Sequence, residues 1–75
     1  MKKLRFECVI PERNKSAFYE IIAGHDLFGL VLIRCFGRIG GRGRCLKTRC
    51  ANTDEMLAEC ERLQARRLKR GYIPV

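Results

Sequence analysis

The stretch LFGLVLIRCF, residues 27–36, decides the fold. It is almost continuously apolar, and Gly29 and Arg34 are its two interruptions. Such a run is too short to span a membrane and is typical of a central strand that is covered on both faces. We therefore predict a β-sheet with residues 27–36 at its centre.

Three further strands are predicted around this central one. Residues 4–10 alternate apolar and polar side chains with a period of two, which indicates a half-buried strand. Residues 17–22 are rich in aromatic and β-branched side chains that favour a strand, and residues 44–50 alternate loosely between cations and small or apolar side chains. Between them, residues 11–16 are predicted to form a loop and residues 23–26 a turn.

A long helix over residues 52–70 is predicted to follow the strands. Asn52 is a favoured N-cap residue, Glu55 lies at the third position of a capping box, and Gly71 is a C-terminal stop. Five apolar side chains fall in one arc of this helix that can cover a sheet face: Met56, Leu57, Cys60, Leu63 and Leu68. The sequence thus predicts an α+β fold, a small antiparallel sheet of about four strands packed by one long C-terminal helix.

The length and charge limit the classes of function. Residues 1–75 are sufficient for one domain. Sixteen Lys and Arg against eight Asp and Glu give a net charge of +8, and such a field attracts polyanions, chiefly nucleic-acid phosphates. A generally solvated basic surface is the alternative. With neither a secretory signal nor a membrane-spanning run in the sequence, we expect a cytoplasmic protein, with nucleoid association, and no membrane partner.

The cysteines give little support for a metal site or for catalysis. Their number is odd, and without a secretory signal free buried thiols are expected rather than disulfides. The five are Cys8, Cys35, Cys45, Cys50 and Cys60. Neither their spacing nor the lone His25 suits zinc, so no metal or cofactor is expected. No nucleophile lies at a recognisable spacing from a base, and we do not expect an enzyme.

The candidate site is an acid-free cationic stretch that begins at the end of the central strand. Its six cations are Arg34, Arg38, Arg42, Arg44, Lys47 and Arg49. If the glycine-rich segment 37–43 joins two neighbouring strands, these cations converge at one end of the sheet beside backbone amides that glycine leaves bare, Gly37 included, and such a concavity fits phosphate. Phe36 either stacks there on a base or sugar or packs in the core. A flexible loop with solvated arginines is the alternative.

Three short motifs, in this order and spacing, resemble those of the WGR domain, which is named for its Trp-Gly-Arg. The first is FGRIG at residues 36–40, followed by Gly43. The second is NK at residues 14–15 with FYEI at residues 18–21, and the third is KRGY at residues 69–72. With the helix between them, the resemblance covers almost the whole chain.

The resemblance implies an antiparallel sheet crossed by one helix, as in the DNA-break-sensing poly(ADP-ribose) polymerases and in small bacterial proteins. In the polymerases this domain helps to hold a DNA end, with its aromatic residue against the terminal nucleotide and basic residues on the backbone, and its Arg also contacts neighbouring domains. By this resemblance Phe36 takes the aromatic role and Arg38 the Arg role. Phe36 stands where the family has Trp, so the stacking face is kept and the indole donor is lost.

The leading hypothesis is a non-enzymatic nucleic-acid-binding module that recognises the backbone or ends of DNA, or RNA, through an Arg/Gly-rich hairpin. The candidate binding residues are Arg34, Phe36, Gly37, Arg38, Arg42, Arg44, Lys47 and Arg49. The alternative is a protein-interaction module that docks a partner through the exposed sheet face or the hairpin. For the oligomeric state, a monomer or a weak dimer is expected.

Overall fold

The computed structural model describes residues 2–75, which form a five-stranded antiparallel sheet and one α-helix. In chain order the elements are β1 (Lys2–Ile10), β2 (Lys15–Asp26), β3 (Gly29–Arg38), β4 (Arg44–Arg49), α1 (Thr53–Lys69) and β5 (Ile73–Pro74). The strands lie in the order β4-β3-β2-β1-β5. This arrangement confirms the predicted α+β fold, with five strands rather than four. Within residues 2–75, the helix lacks the length and hydrophobicity needed to cross a bilayer.

The central hairpin of β2 and β3 is longer than predicted. The predicted turn at residues 23–26 is wrong, because these residues continue β2 and pair with residues 29–32 of β3. The chain reverses instead at Leu27 and Phe28, where the Asp26 carboxylate accepts the backbone N–H of Phe28 at 2.8 Å. This side-chain bond supplies the turn contact that apolar residues 27 and 28 cannot supply themselves.

The connection between β1 and β2 is shorter than the predicted loop 11–16. Residues Pro11–Arg13 form one turn of 3₁₀ helix, and Asn14 adopts the left-handed conformation with φ of 52°. Asn tolerates this conformation better than most residues do. Because the reversal ends at Asn14, strand β2 begins at Lys15.

The two ends of α1 follow the predicted signals. The Asn52 side-chain oxygen accepts the backbone N–H of Glu55 at 2.8 Å, which confirms the N-cap. At the other end Gly71 has φ of +91°, and the N–H of Tyr72 donates to the carbonyl of Arg67 at 3.0 Å. This is a Schellman-type end. It returns the tail to the sheet, where residues 73–74 pair with β1 as the fifth strand.

The core lies between α1 and one face of the sheet, which we call the helix side. Its buried residues include Phe6, Cys8, Tyr19, Ile21, Leu32, Cys60, Leu63 and Tyr72. Of the predicted apolar arc, Cys60 and Leu63 are buried and Met56 packs partly against the core. Leu57 and Leu68 are 53% and 51% exposed, contrary to the prediction, because they lie at the margins of the stripe that meets the sheet.

The expectation of free thiols throughout is wrong for one pair. Cys35 and Cys45 form a disulfide between β3 and β4. They are direct cross-strand partners in the ladder, so their side chains emerge side by side on the same face. The number of cysteines could not predict this disulfide, because the proximity of Cys35 and Cys45 depends on the register of the β3–β4 hairpin. Within residues 2–75 the other three, Cys8, Cys50 and Cys60, are free and buried as expected.

Candidate nucleic-acid interface

The β3–β4 hairpin begins with a tight turn. The N–H of Gly41 donates to the carbonyl of Arg38 at 2.9 Å, and Gly40, at the third position of this turn, has φ of +88°. A positive φ at that position favours glycine. The glycine-rich segment therefore joins two neighbouring strands, as the candidate site required.

Two other glycines of the segment allow the hairpin to fold back onto the sheet. A Cβ atom at Gly37 would lie 2.6 Å from the Cα of Gly43. A Cβ at Gly43 would lie 2.7 Å from both the Phe18 ring and the carbonyl oxygen of Phe36. The hairpin therefore covers Phe18, which is buried on the face opposite the helix, the open side. For Gly37 and Gly43 the structure thus gives a packing role that the sequence analysis did not predict.

The predicted cations do not all converge at the hairpin. The pleat places Arg34, Phe36, Arg38 and Arg44 on the helix side, at the hairpin end of the sheet. Arg42 lies in the hairpin itself. Two of the predicted residues lie elsewhere.

Lys47 and Arg49 are the two cations that the prediction misplaced. They share the open side with Cys45, and β4 carries them toward the opposite end of the sheet. There Asp26 accepts the Lys47 ammonium at 2.8 Å and both terminal nitrogens of Arg49 at 3.1 and 3.0 Å. Both cations share this one carboxylate, which compensates half of their combined charge.

The Asp26 carboxylate is held ionised by these donors. Hydrogen bonds from Arg49, from Lys47 and from the N–H of Phe28 together lower the pKa of Asp26 far below its ordinary value. Because its pKa in the folded chain is depressed, its stabilising contribution is present above the ordinary Asp pKa. That contribution is lost as the pH falls through the lower value.

This gives a pH prediction for the β2–β3 turn. At about pH 3, where an unperturbed Asp is largely protonated, we expect the Asp26 carboxyl carbon to keep the NMR chemical shift of the ionised form. In Arg49→Gln the midpoint should move up toward the ordinary Asp value, because two donors are lost. An Asp26 that titrates normally in the unsubstituted chain would contradict the arrangement.

Charges on the rest of the open side are also paired. Glu20 accepts Arg5 at 2.8 Å and Lys3 at 3.3 Å, and Arg5 also contacts Glu7 at 3.0 Å. Partial burial opposes ionisation of Glu20, but the bonds from Arg5 and Lys3 outweigh it and lower its pKa. The open side therefore combines cations with matching carboxylates, which reduces its attraction for phosphate.

On the helix side, uncompensated cations surround a cavity of about 270 Å³ near the end of α1. Its lining residues are Tyr19, Arg34, Phe36, Leu46, Arg67 and Arg70, and we call it the arginine pocket. In the described part of the chain, no carboxylate forms an ion pair with any of its three arginines. The pocket is therefore a local concentration of guanidinium groups without an ion-pair partner in the described chain.

Aromatic rings lie beneath one of these guanidinium groups, that of Arg67. Tyr19 and Phe36 are cross-strand partners, with ring centroids 6.0 Å apart. The Arg67 guanidinium lies 4.2 Å from the Tyr19 centroid and 5.4 Å from that of Tyr72. Phe36 packs against the core and also lines the pocket, so both of its predicted roles are compatible with its position.

Tyr19, Arg67 and Arg70 were not among the predicted site residues. Tyr19 could have been found from the strand register, which pairs it with Phe36. Arg67 follows the buried residues Cys60 and Leu63 at seven and four positions, a spacing that returns to the same helix face. Arg70 is the C-cap residue of α1, and no local pattern separates it from the other cations at that end of the helix.

A second, open concavity lies on the other side of Arg38. It is lined by Arg13, Lys15 and Arg38 together with residues 14, 16, 17 and 37, and its volume is about 420 Å³. Arg38 donates to the backbone carbonyl of Asn14 at 3.3 Å, which links the start of β2 to the end of β3. The cationic surface thus continues from the arginine pocket around the hairpin end of the sheet.

One buried thiol lies close to acidic side chains. Burial, together with the charges of Glu55 and Glu59, raises the pKa of the Cys50 thiol, which disfavours the nucleophilic thiolate. Among residues 2–75, no group of three His, Cys, Asp or Glu side chains is arranged to hold a metal ion.

Comparison with models of protein families matches residues 2–75 to the WGR domain. No curated protein and no solved structure matched the chain in the parallel comparisons. The family match extends over every element described above, including both strands of the hairpin and the tail that forms β5.

Proposed function

The chain belongs to the WGR domain family, and we propose that it is a non-enzymatic module that binds the phosphate backbone or an end of a nucleic acid in the arginine pocket. Within this proposal residues 1–75 act as one binding domain. The family is associated with nucleic-acid binding through its poly(ADP-ribose) polymerase members.

The clustering of unpaired cations is the observation that carries the proposal. Arg34, Arg67 and Arg70 face one cavity without a carboxylate partner in the described chain, whereas Lys3, Arg5, Lys47 and Arg49 on the open side pair with acids. Keeping like charges together is unfavourable unless an anion binds there. Guanidinium groups bind phosphate bidentately, so the phosphodiester backbone of a nucleic acid is the ligand that fits best.

The aromatic floor of the pocket supports a nucleotide rather than a simple inorganic anion. Phe36 is half-buried and lies beside the three guanidinium groups, so a phosphate and an adjoining sugar or base can be held together. Tyr19 is buried beneath Arg67 and supports the pocket from below. Stacking of a base on an aromatic side chain contributes about 1 to 3 kcal/mol. Phe36 occupies the position of the family's Trp and supplies such a face without an indole donor.

The hairpin extends this surface. Arg38, Arg42 and Arg44 follow the pocket along the same end of the sheet and would contact successive phosphates. Lys47 and Arg49 have no direct part in this proposal, because they lie toward the far end of β4 on the opposite face. Gly37 contributes through the close packing that places the hairpin.

The test is a binding titration with two double variants of equal charge. Arg34→Gln with Arg70→Gln removes two cations from the pocket, and Arg66→Gln with Lys69→Gln removes two cations, unpaired within residues 2–75, from the helix outside it. Fluorescence anisotropy would compare labelled blunt, nicked and single-stranded DNA and duplex RNA at about 50 and about 200 mM salt. We expect the pocket variant to lose about tenfold to thirtyfold in affinity and about two from the salt slope.

The matched variant distinguishes binding at the arginine pocket from binding through the overall positive charge of the chain. Both variants lower the net charge equally, so Arg66→Gln with Lys69→Gln should change affinity by no more than about threefold if the pocket is the site. Equal losses in the two variants would mean that the chain binds through its overall charge. Weak binding that neither variant alters would favour the alternative of a protein-docking module.

A further inference from the structure

The most exposed large hydrophobic side chains lie together, at the end of the sheet far from the arginine pocket. Leu27 and Phe28, which we call the apolar tip, are 96% and 82% exposed. Along β3, six residues separate Phe28 from Arg34 of the arginine pocket, about 20 Å of extended chain, and the hairpin lies farther still. The proposed nucleic-acid site therefore does not use them. Adjacent exposed hydrophobic side chains of this kind mark an interaction site.

The apolar tip is held in place before any partner binds. The Asp26 carboxylate accepts the N–H of Phe28 and also binds Lys47 and Arg49. The Arg49 guanidinium lies 5.7 Å from the centroid of the Phe28 ring. Such pre-organisation lowers the entropy cost of inserting the tip into a pocket. Lys47, Arg49 and Asp26, which we call the collar of the tip, together carry a net positive charge.

The same molecule offers a small pocket of complementary character. A cavity of about 130 Å³ lies between α1 and the edge of β1 and β2, and we call it the helix–sheet pocket. Its apolar lining comes from Ala23, Met56, Leu57 and Cys60. Leu57 lies at the margin of the apolar stripe of α1, and it remains half-exposed because no strand covers it.

The charge around the helix–sheet pocket is opposite to that of the tip. Glu61 and Lys2 stand at its rim, and Asp54 and Glu55 lie in the adjoining first turn of α1. Within the described chain none of these three acids forms an ion pair. The rim and the neighbouring turn are therefore net negative. An apolar tip with a positive collar thus matches an apolar pocket with a negative surround.

We propose that the chain self-associates, with the apolar tip of one copy inserted into the helix–sheet pocket of a second copy. The two features lie toward the same end of β2, four residues apart at Ala23 and Leu27, so each copy can present both to its partner. The contact is small, and interfaces well below about 1,200 Å² are typical of weak, transient association. The dimer should accordingly form at high protein concentration.

Sedimentation velocity on the chain from about 10 µM to about 1 mM covers the range expected for such an interface. Leu27→Ser with Phe28→Ser should raise the dissociation constant of the dimer at least about tenfold, because the anchors are lost. These side chains are exposed, so their loss leaves the fold intact. Leu57→Ser should also raise the dissociation constant of the dimer, because it removes part of the apolar wall of the helix–sheet pocket.

Leu68→Ser is the matched control for Leu57→Ser. Both leucines lie on α1 and are about equally exposed, but Leu57 lines the helix–sheet pocket and Leu68 does not. Leu68→Ser should leave the dissociation constant within about twofold of the unsubstituted chain. Circular dichroism of each variant would confirm that it is folded.

An isotope-filtered NOE experiment identifies the contact directly. In a mixture of labelled and unlabelled protein, the Phe28 ring should show intermolecular NOEs to the methyl groups of Met56 and Leu57. A chain that stays monomeric up to about 1 mM, equal effects of Leu57→Ser and Leu68→Ser, or intermolecular NOEs from Phe28 to another surface would each overturn the proposal. None of these outcomes bears on the arginine pocket, which is tested separately by the anisotropy titration.

Discussion

Replacement of Gly43 by alanine is expected to lower the free energy of unfolding by about 3 kcal/mol, because two separate costs add. Gly43 has φ of +73°, a conformation that costs an L-residue about 1 to 2 kcal/mol. The new Cβ would also lie 2.7 Å from the Phe18 ring and from the Phe36 carbonyl oxygen. Relieving this overlap requires movement of a buried ring or of the β3 backbone, at about 1 to 3 kcal/mol.

Gly40→Ala is the control that isolates the steric part. Gly40 also has a positive φ, of +88°, but a Cβ there would meet nothing within 4 Å. We expect it to cost about 1 kcal/mol. Urea and thermal denaturation followed by circular dichroism would compare the two, and Gly43→Ala should lower Tm by about 12 to 24 °C. Indistinguishable values for the two variants would show that the hairpin does not pack on Phe18 as described.

The loss of unfolding free energy expected for Gly43→Ala is large relative to the stability of a chain of this size. Seventy-five residues correspond to about 4 to 11 kcal/mol of unfolding free energy. The hairpin also carries Arg42 and leads into Arg44, so a displaced hairpin would lower nucleic-acid affinity as well as stability. The packing of Gly37 and Gly43 on Phe18 is thus the link between the fold and the proposed site.

The main features of the fold could be predicted from local patterns. The alternation in residues 4–10, the Asn52 cap and the Gly71 stop each act over a few residues, and each is present in the structure. The errors arose where a distant contact decides the outcome. Residues 23–26 resemble a turn but pair with β3, and the tail becomes a strand because β1 offers a free edge.

The candidate site could be predicted only in part for the same reason. The cationic stretch was visible in the sequence, but its division between two faces follows from the pleat and from the position of Asp26. Arg67 and Arg70 come from the far end of α1, and no local pattern places them beside Phe36. Cys35 and Cys45 likewise become neighbours through the β3–β4 register.

Reduction of the Cys35–Cys45 disulfide is expected to lower the free energy of unfolding by about 3 kcal/mol, the loop-closure value for a separation of 10 residues. The strand that it secures is an edge strand with all six of its residues exposed. Thermal denaturation with and without dithiothreitol measures the difference, and a shift of about 12 to 24 °C is expected. Thiol titration would verify the redox state of each sample.

The double variant Cys35→Ala with Cys45→Ala is the control for the reductant. It should unfold near the temperature of the reduced chain and should not respond to dithiothreitol, because Cys8, Cys50 and Cys60 are already free thiols. If the oxidised and reduced chains unfold at the same temperature, the disulfide does not contribute as described. A response of the double variant to dithiothreitol would locate the redox effect at another cysteine.

Comparison of the oxidised and reduced chains also tests whether the disulfide supports the arginine pocket. Strand β4 brings Leu46 to the wall of the pocket and Arg44 to its neighbouring surface, and the disulfide joins Cys45, between these two residues, to β3. Loosening β4 should raise the hydrogen-exchange rates of its amides above those in the oxidised chain while the amides of β2 change little, and it should weaken nucleic-acid binding several-fold. Loss of stability without any loss of affinity would show that Leu46 and Arg44 are dispensable for the site and that Arg34, Arg67 and Arg70 suffice.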